Sequence, residues 1–175
     1  MKFYHQILIF PIVLLGLLAC KQSKPNIILT SAIQEQVLTL NDTSLKKVVK
    51  TDGEWKKLLT ENQYYILRSK GTEPPFRNEF NYNHEKGNYF CAACKLPLFS
   101  SKKKFDSPTG WPSFYAPINK NRVKEVVDRS LGMVRGEIIC ARCDSHLGHL
   151  FDDGPKPTGL RYCINSAALL FQKSK

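Results

Sequence analysis

Two short stretches decide the fold: Asn88-Tyr89-Phe90-Cys91-Ala92-Ala93-Cys94 and Glu137-Ile138-Ile139-Cys140-Ala141-Arg142-Cys143. In each, a brief aromatic or β-branched run leads straight into C-x-x-C, which reads as a strand running into a tight knuckle. Two knuckles supply four thiolates, the donor set of a tetrahedral structural zinc site with no open coordination position. Because the knuckles lie far apart in the chain, the metal would pin two distant segments together. Disulfides are the rival use of these thiols in an exported protein. Bridges within each C-x-x-C would be small strained rings, better suited to redox turnover than to stapling, so Zn2+ is the expected occupant of Cys91, Cys94, Cys140 and Cys143.

Working outward toward the N-terminus, Thr51-Asp52-Gly53-Glu54 spells a capping box, with Trp55, Leu58 and Leu59 as the apolar stripe of a short helix. Thr60-Glu61-Asn62-Gln63 repeats the spelling before Tyr64 to Leu67, and Gly71 can end that second helix. Pro74-Pro75 stops helical structure, and from Phe76 onward Gly, Pro, Asn and Asp punctuate aromatic and β-branched runs. The reading is two helices followed by a mostly antiparallel β domain.

The first residues read as an address. Lys2 precedes an apolar run, Ile7 to Ala19, which is interrupted by Pro11 and falls short of the about 20 residues a spanning helix needs. The run ends Leu17-Leu18-Ala19-Cys20, which resembles a bacterial lipobox, with Cys20 as the acylated residue. The expected organisation is a signal peptide over 1–19, a lipidated N-terminus and tether over 20–44, and one folded domain over 45–175. Such a protein is exported and lipid-anchored to a bacterial membrane, on its periplasmic or cell-surface side.

The chain carries 26 Lys and Arg against 15 Asp and Glu. A balance of this kind can mark nucleic acid or anionic lipid as a partner. Here the basic residues are scattered, with only Lys102-Lys103-Lys104 in a run that reads as a turn tip. A solvated basic surface near anionic headgroups is expected, and no nucleic acid.

Six cysteines, less Cys20 and the four of the knuckles, leave Cys163. Leu160 to Phe171 reads as a strand that puts Arg161, Cys163 and Asn165 on one face and Tyr162 and Ile164 on the other. A guanidinium beside a thiol favours the thiolate and lowers its pKa. Upstream, His146-Leu147-Gly148-His149-Leu150-Phe151 is also extended or turning chain, and Asp152 to Gly159 makes the loop between. If the two strands pair antiparallel, opposing residue numbers sum to about 312 or 313, which sets His149 roughly opposite Cys163. Cross-strand Cβ atoms lie about 5 Å apart, so an imidazole would stand beside the thiol, as nucleophilic chemistry with a nearby proton donor requires. Gly110 and Pro112 bracket Trp111 in a loop that would hold the indole in one pose.

Cys91-x-x-Cys94, Thr109-Gly110-Trp111-Pro112-Ser113-Phe114, Cys140-x-x-Cys143, His146 through Asp153-Gly154, and Arg161-Tyr162-Cys163-Ile164-Asn165-Ser166 together resemble the peptide methionine-R-sulfoxide reductases. The resemblance runs in unbroken order from about Lys50 to Phe171. It implies a mainly β, tent-like fold of two antiparallel sheets with a zinc knuckle pair and short N-terminal helices. It also implies that the Cys163 thiolate attacks the sulfoxide sulfur while His146 or His149 protonates the leaving oxygen. Arg161 would hold the thiolate, Asn165 and Asp153 would orient water and side chains, and Trp111 would receive the substrate methyl group and select the R epimer. Phe151 and Asp152 would support the substrate site. Methionine leaves and Cys163 remains as sulfenic acid. Some relatives carry a resolving cysteine at the position of Thr109. Its absence here implies clearance of the sulfenic acid by an outside thiol, a thioredoxin-like protein on the same side of the membrane, with oxidised proteins as substrates. A zinc-ribbon binding module would leave the histidines and Arg161 unexplained, and a C-x-x-C oxidoreductase would set its pair at a helix N-terminus beside a βαβ pattern.

Overall fold

The computed structural model describes residues 45–174. The signal peptide, the lipobox with Cys20 and the tether of the sequence reading lie outside the described residues. Helices α1 (Asp52–Leu58) and α2 (Glu61–Ser69) each start on a full capping box, Thr51 with Glu54 and Thr60 with Gln63. Two backbone N–H groups at each helix start are thereby satisfied. The apolar stripe of α1 is narrower than expected. Trp55 and Leu59, four apart, are buried, whereas Leu58 is 60% exposed, because consecutive residues cannot share one helix face. α2 ends in a left-handed Lys70, with the Gly71 N–H donating to the Tyr65 carbonyl. No helix among the described residues is long and apolar enough to cross a membrane.

The rest is β structure in two antiparallel sheets. The first contains β1 (Gly87–Cys91), β2 (Pro97–Ser100) and β9 (Leu169–Lys173), in the order β2-β1-β9. The second contains β3 (Lys104–Phe105), β4 (Ser113–Phe114), β5 (Val123–Asp128), β6 (Arg135–Cys140), β7 (His146–Phe151) and β8 (Arg161–Ile164). Its order is β3-β4-β8-β7-β6-β5. Tyr89, Phe99 and Phe114 fill the space between the sheets, with Phe99 and Phe114 stacked at 4.5 Å and Tyr89 edge-on to Phe114 at 5.1 Å. Ile66 and Leu67 of α2 complete this core.

The Leu160–Phe171 segment is not one strand. β8 stops at Ile164, a 3-10 turn follows over Ser166–Ala168, and β9 then joins the other sheet. The chain breaks at Asn165, whose own N–H turns to the Leu147 carbonyl at 2.8 Å. The Lys102–Lys104 run does form a turn, but two of its ammonium groups are docked on carbonyls: Lys103 on Pro117 and Lys104 on Asn81.

Candidate functional site

The two knuckles are built alike. β1 ends at Cys91 and β6 at Cys140; Lys95 and Asp144 donate to the carbonyls of those cysteines at 2.8 and 3.0 Å. Both donors sit in the left-handed region. The four Sγ atoms converge within 4.8 Å of one another, with Cys91 to Cys143 at 3.8 Å and Cys94 to Cys140 at 3.6 Å. Such separations are far beyond a disulfide bond of about 2.05 Å. They match the about 3.8 Å between sulfurs that sit about 2.3 Å from a tetrahedral centre. The cluster can therefore hold a metal ion, and because β1 and β6 belong to different sheets, that ion would join them.

The second cluster surrounds Cys163. The β7–β8 register sets His149 opposite Cys163 and Gly148 opposite Ile164, so the residue numbers sum to 312 as anticipated. On its other side Cys163 faces Ser113 of β4. Gly148 leaves no room for a side chain against β8: a Cβ there would fall 2.0 Å from the Cys163 carbonyl oxygen.

A cavity of about 160 Å³ opens over the thiol, lined by Trp111, Arg135, His149, Phe151, Cys163 and Asn165, with Thr72, Gly148 and Ile164. Larger clefts of about 820 and 720 Å³ lie elsewhere and touch neither Cys163 nor His146 nor His149. Trp111 is held as its sequence context suggested. Its indole N–H donates to the Glu73 carbonyl at 3.0 Å. Gly110, at φ 88°, offers its own carbonyl to the Phe76 N–H at 2.8 Å and to Asn78 at 2.7 Å. A Cβ on Gly110 would strike the Phe76 nitrogen at 2.7 Å, so the bend requires glycine.

Other expected residues stand behind the cavity. His146 is buried, with Nδ1 2.9 Å from Glu137 Oε1 and its ring 5.4 Å from that of His149. Burial holds its pKa below the ordinary value despite the opposing pull of Glu137. Arg161 spends its guanidinium on Asp153, through bonds of 2.7 and 2.8 Å, and lies 4.3 Å over the Phe151 ring. Asp153 itself is a surface group bonded to Arg161 and does not line the cavity. Asp152 is exposed and does not line it either.

The expected low thiol pKa is not what the structure yields. Burial pushes the Cys163 thiol above the ordinary 9.0, and the opposing pull of Arg161 and of the Thr109 hydroxyl, 4.0 Å away, is smaller. The guanidinium is paired with Asp153, whose carboxylate itself raises the thiol pKa. Alkylation of Cys163 by iodoacetamide is therefore expected to rise with pH through a midpoint above 9.0. A midpoint below that of a free thiol would mean that Arg161 prevails over burial.

Four residues escaped the sequence reading. Asp128 accepts from Arg135 and lies 2.9 Å from His149 Nε2, with its carboxyl held well below the usual range by the Ser130 N–H and these partners. Asp128 and Arg135 face each other across the β5–β6 pair. Glu137, buried, bridges His146 to Lys70 at 2.8 Å. Glu73 sits where the indole, Asn165 and the turn after β8 meet. The capping-box spellings had no counterpart for these residues, because each of the four is recognised by a partner remote in sequence or across a hairpin.

Residues 59–173 match the family model described as the SelR domain. A protein of Thiobacillus denitrificans is 59% identical over 122 residues, 70% of this chain and 92% of that relative. One of Methanosarcina barkeri is 58% identical over 127 residues, covering 73% and 89%. One of Hahella chejuensis is 53% identical over 130 residues, covering 74% and 94%. Each of the three is named peptide methionine sulfoxide reductase MsrB. With the family model spanning most of the chain and these identities alongside it, the protein belongs to the SelR domain family.

Proposed function

We propose that this protein reduces the R epimer of peptide-bound methionine sulfoxide, with Cys163 as the oxygen acceptor. The observation that carries the reading is the cavity in which a half-buried thiol lies opposite an imidazole and beside a fixed indole. A sulfoxide has an electrophilic sulfur and a strongly accepting oxygen. Cys163 sulfur attacks, the S–O bond of the substrate breaks, and the oxygen passes to Cys163 as a sulfenic acid while methionine leaves. Two electrons move from the cysteine sulfur to the methionine sulfur, and the thiol proton ends on the transferred oxygen. His149, cross-strand from Cys163 and lining the cavity, supports the role of proton carrier to that oxygen; His146 is buried behind it. Asn165 and Phe151 border the same space. Trp111 offers a flat apolar face for the substrate methyl group, which is the basis for choosing one epimer.

Zn2+ is the metal assigned to Cys91, Cys94, Cys140 and Cys143. Four thiolates leave it structural, clamping the sheets whose strands carry the reaction. With Thr109 at the loop position nearest the thiol and those four sulfurs committed to metal, the sulfenic acid is cleared from outside. Two thiols of a thioredoxin-like protein return Cys163 to its reduced form, giving a disulfide and water. The lipobox reading adds an acyl anchor at Cys20 and an exported location; loss of detergent-phase partitioning in Cys20→Ala tests it, and unchanged partitioning rejects it.

The activity is tested by offering separated R and S sulfoxide peptides to the protein with dithiothreitol. The R peptide is reduced and the S peptide is not, and His149→Gln lowers kcat/KM by about 100-fold or more, against a smaller loss for His146→Gln. Equal reduction of both epimers, or of neither, rejects the reading.

A further inference from the structure

Glu73 lies outside the cavity, yet it touches three separate parts of the candidate site. Its side chain is buried, with Glu73 only 8% exposed. The carboxylate accepts from the backbone N–H groups of Ser166 and, at 2.9 Å, Ala167, at the start of the 3-10 turn that follows β8. Its own N–H donates to Asn165 Oδ1 at 3.2 Å, and its carbonyl accepts the Trp111 indole N–H at 3.0 Å. Asn165 is in turn bonded through Nδ2 to the Leu147 carbonyl of β7.

The segment that follows is tied to the opposite wall. Phe76 and Asn78 both donate to the Gly110 carbonyl, next to Trp111. Pro74-Pro75 lies between these attachments, and proline restricts both its own φ and the residue before it. Residues 73–78 therefore form a stiff strap, fastened at one end to the turn that follows the thiol's strand and at the other to the loop that bears the indole. The carboxylate is the fastening at the thiol end.

From this we infer that Glu73 is a positioning residue: by anchoring its own carbonyl to the Ser166–Ala167 turn, it sets the placement of the Trp111 indole relative to Cys163. A buried carboxylate is costly unless its oxygens are bonded, and here backbone N–H groups from the turn next to the nucleophile strand bond them. Without the carboxylate, the carbonyl that holds the indole keeps only the Glu73 N–H bond to Asn165 as its reference to the end of β8, and loses both bonds to the turn. The substrate methyl group would then meet a ring free to shift, while the thiol would stay in its strand. Displacements of about 1 Å at such a remove can cost about 100-fold in rate.

The inference rests on the sulfoxide reading for its kinetic consequence and on geometry alone for its structural one, so the test has an arm for each. In a Trp55→Phe background, where Trp111 is the remaining tryptophan, Glu73→Gln and Glu73→Ala shift the indole emission whether or not the protein turns over. In the kinetic arm, Glu73→Ala lowers kcat/KM for the R sulfoxide peptide by about 10- to 100-fold. Glu73→Gln, which keeps one acceptor oxygen, lowers it less. The rate of Cys163 with iodoacetamide, which needs no indole, stays within about twofold of the parent when both rates are taken per folded protein. Combined with Trp111→Phe, the Glu73→Ala loss shrinks, since the two act on one contact. Should Glu73→Ala fail to fold, Glu73→Gln and Trp111→Phe complete the same cycle. An unmoved Trp111 emission, losses that multiply in the double variant, or iodoacetamide reactivity that falls in step with kcat/KM overturns the role. If the parent itself leaves the sulfoxide unreduced, the functional reading fails while the emission arm still decides the geometry.

Discussion

Cys163→Ser lowers turnover of the R sulfoxide peptide by more than about 1,000-fold, the scale of losing a nucleophile from a preorganised site. Serine nearly preserves the shape of the residue, so β8 keeps its register with β4 and β7 and the fold survives. What disappears is a sulfur that can accept oxygen and hold it as a sulfenic acid; a hydroxyl has no equivalent oxidation ladder. No other cysteine of the domain can substitute, because the other four sulfurs lie together in the cluster that joins the sheets. The variant is assayed with dithiothreitol in excess, so that recycling is not limiting. Retention of more than a tenth of parental activity would remove Cys163 from the central role.

The second large effect concerns the metal. Cys140→Ser, or exhaustive chelation of the parent, is expected to cost at least about 4 kcal/mol of folding stability, since binding at a structural site of this type is itself folding free energy. For a domain of this size the corresponding fall in Tm is on the order of 15 °C. The reason is topological. β1 ends at Cys91 in one sheet and β6 ends at Cys140 in the other. The helices and the Tyr89, Phe99 and Phe114 core also bridge the layers, so a residual collapsed state is expected. The cooperative transition is not. Activity falls with the fold, because β6 carries Glu137 and lies between β5, which bears Asp128, and β7, which bears both histidines. Calorimetry of metal-free and zinc-reconstituted protein checks this; superimposable transitions would mean that the four thiols need no ion.

What the sequence revealed and what it concealed divide along the range of the interactions. The capping boxes at Thr51 and Thr60 are local, four residues long, and both form. The β7–β8 register was legible because turn residues bound the loop from Asp152 to Gly159 and strand alternation does the rest, which set His149 against Cys163. The knuckles were legible because cysteine spacing encodes metal geometry directly. The break at Asn165 was not. It depends on Leu147 and on Glu73, 92 residues away from Asn165, and no local feature of Ile164-Asn165-Ser166 announces them. The pKa of Cys163 was misjudged for a related reason. Adjacency of Arg161 in the strand is visible in the sequence, whereas the depth of the thiol and the pairing of Arg161 with Asp153 belong to the folded molecule. Asp128 and Glu137 escaped because a lone acid in a strand reads as a solvent-facing group until its partner is known.

The most direct measurement is a single turnover without reductant. The reduced, metal-loaded protein is mixed with an equimolar R sulfoxide peptide, quenched, and analysed for methionine and for the mass of the Cys163 peptide. One methionine per active site is expected, together with one added oxygen on Cys163 that dimedone traps and no disulfide to that residue. Methionine formed with Cys163 unoxidised, or an equal yield from Cys163→Ser, would contradict the account.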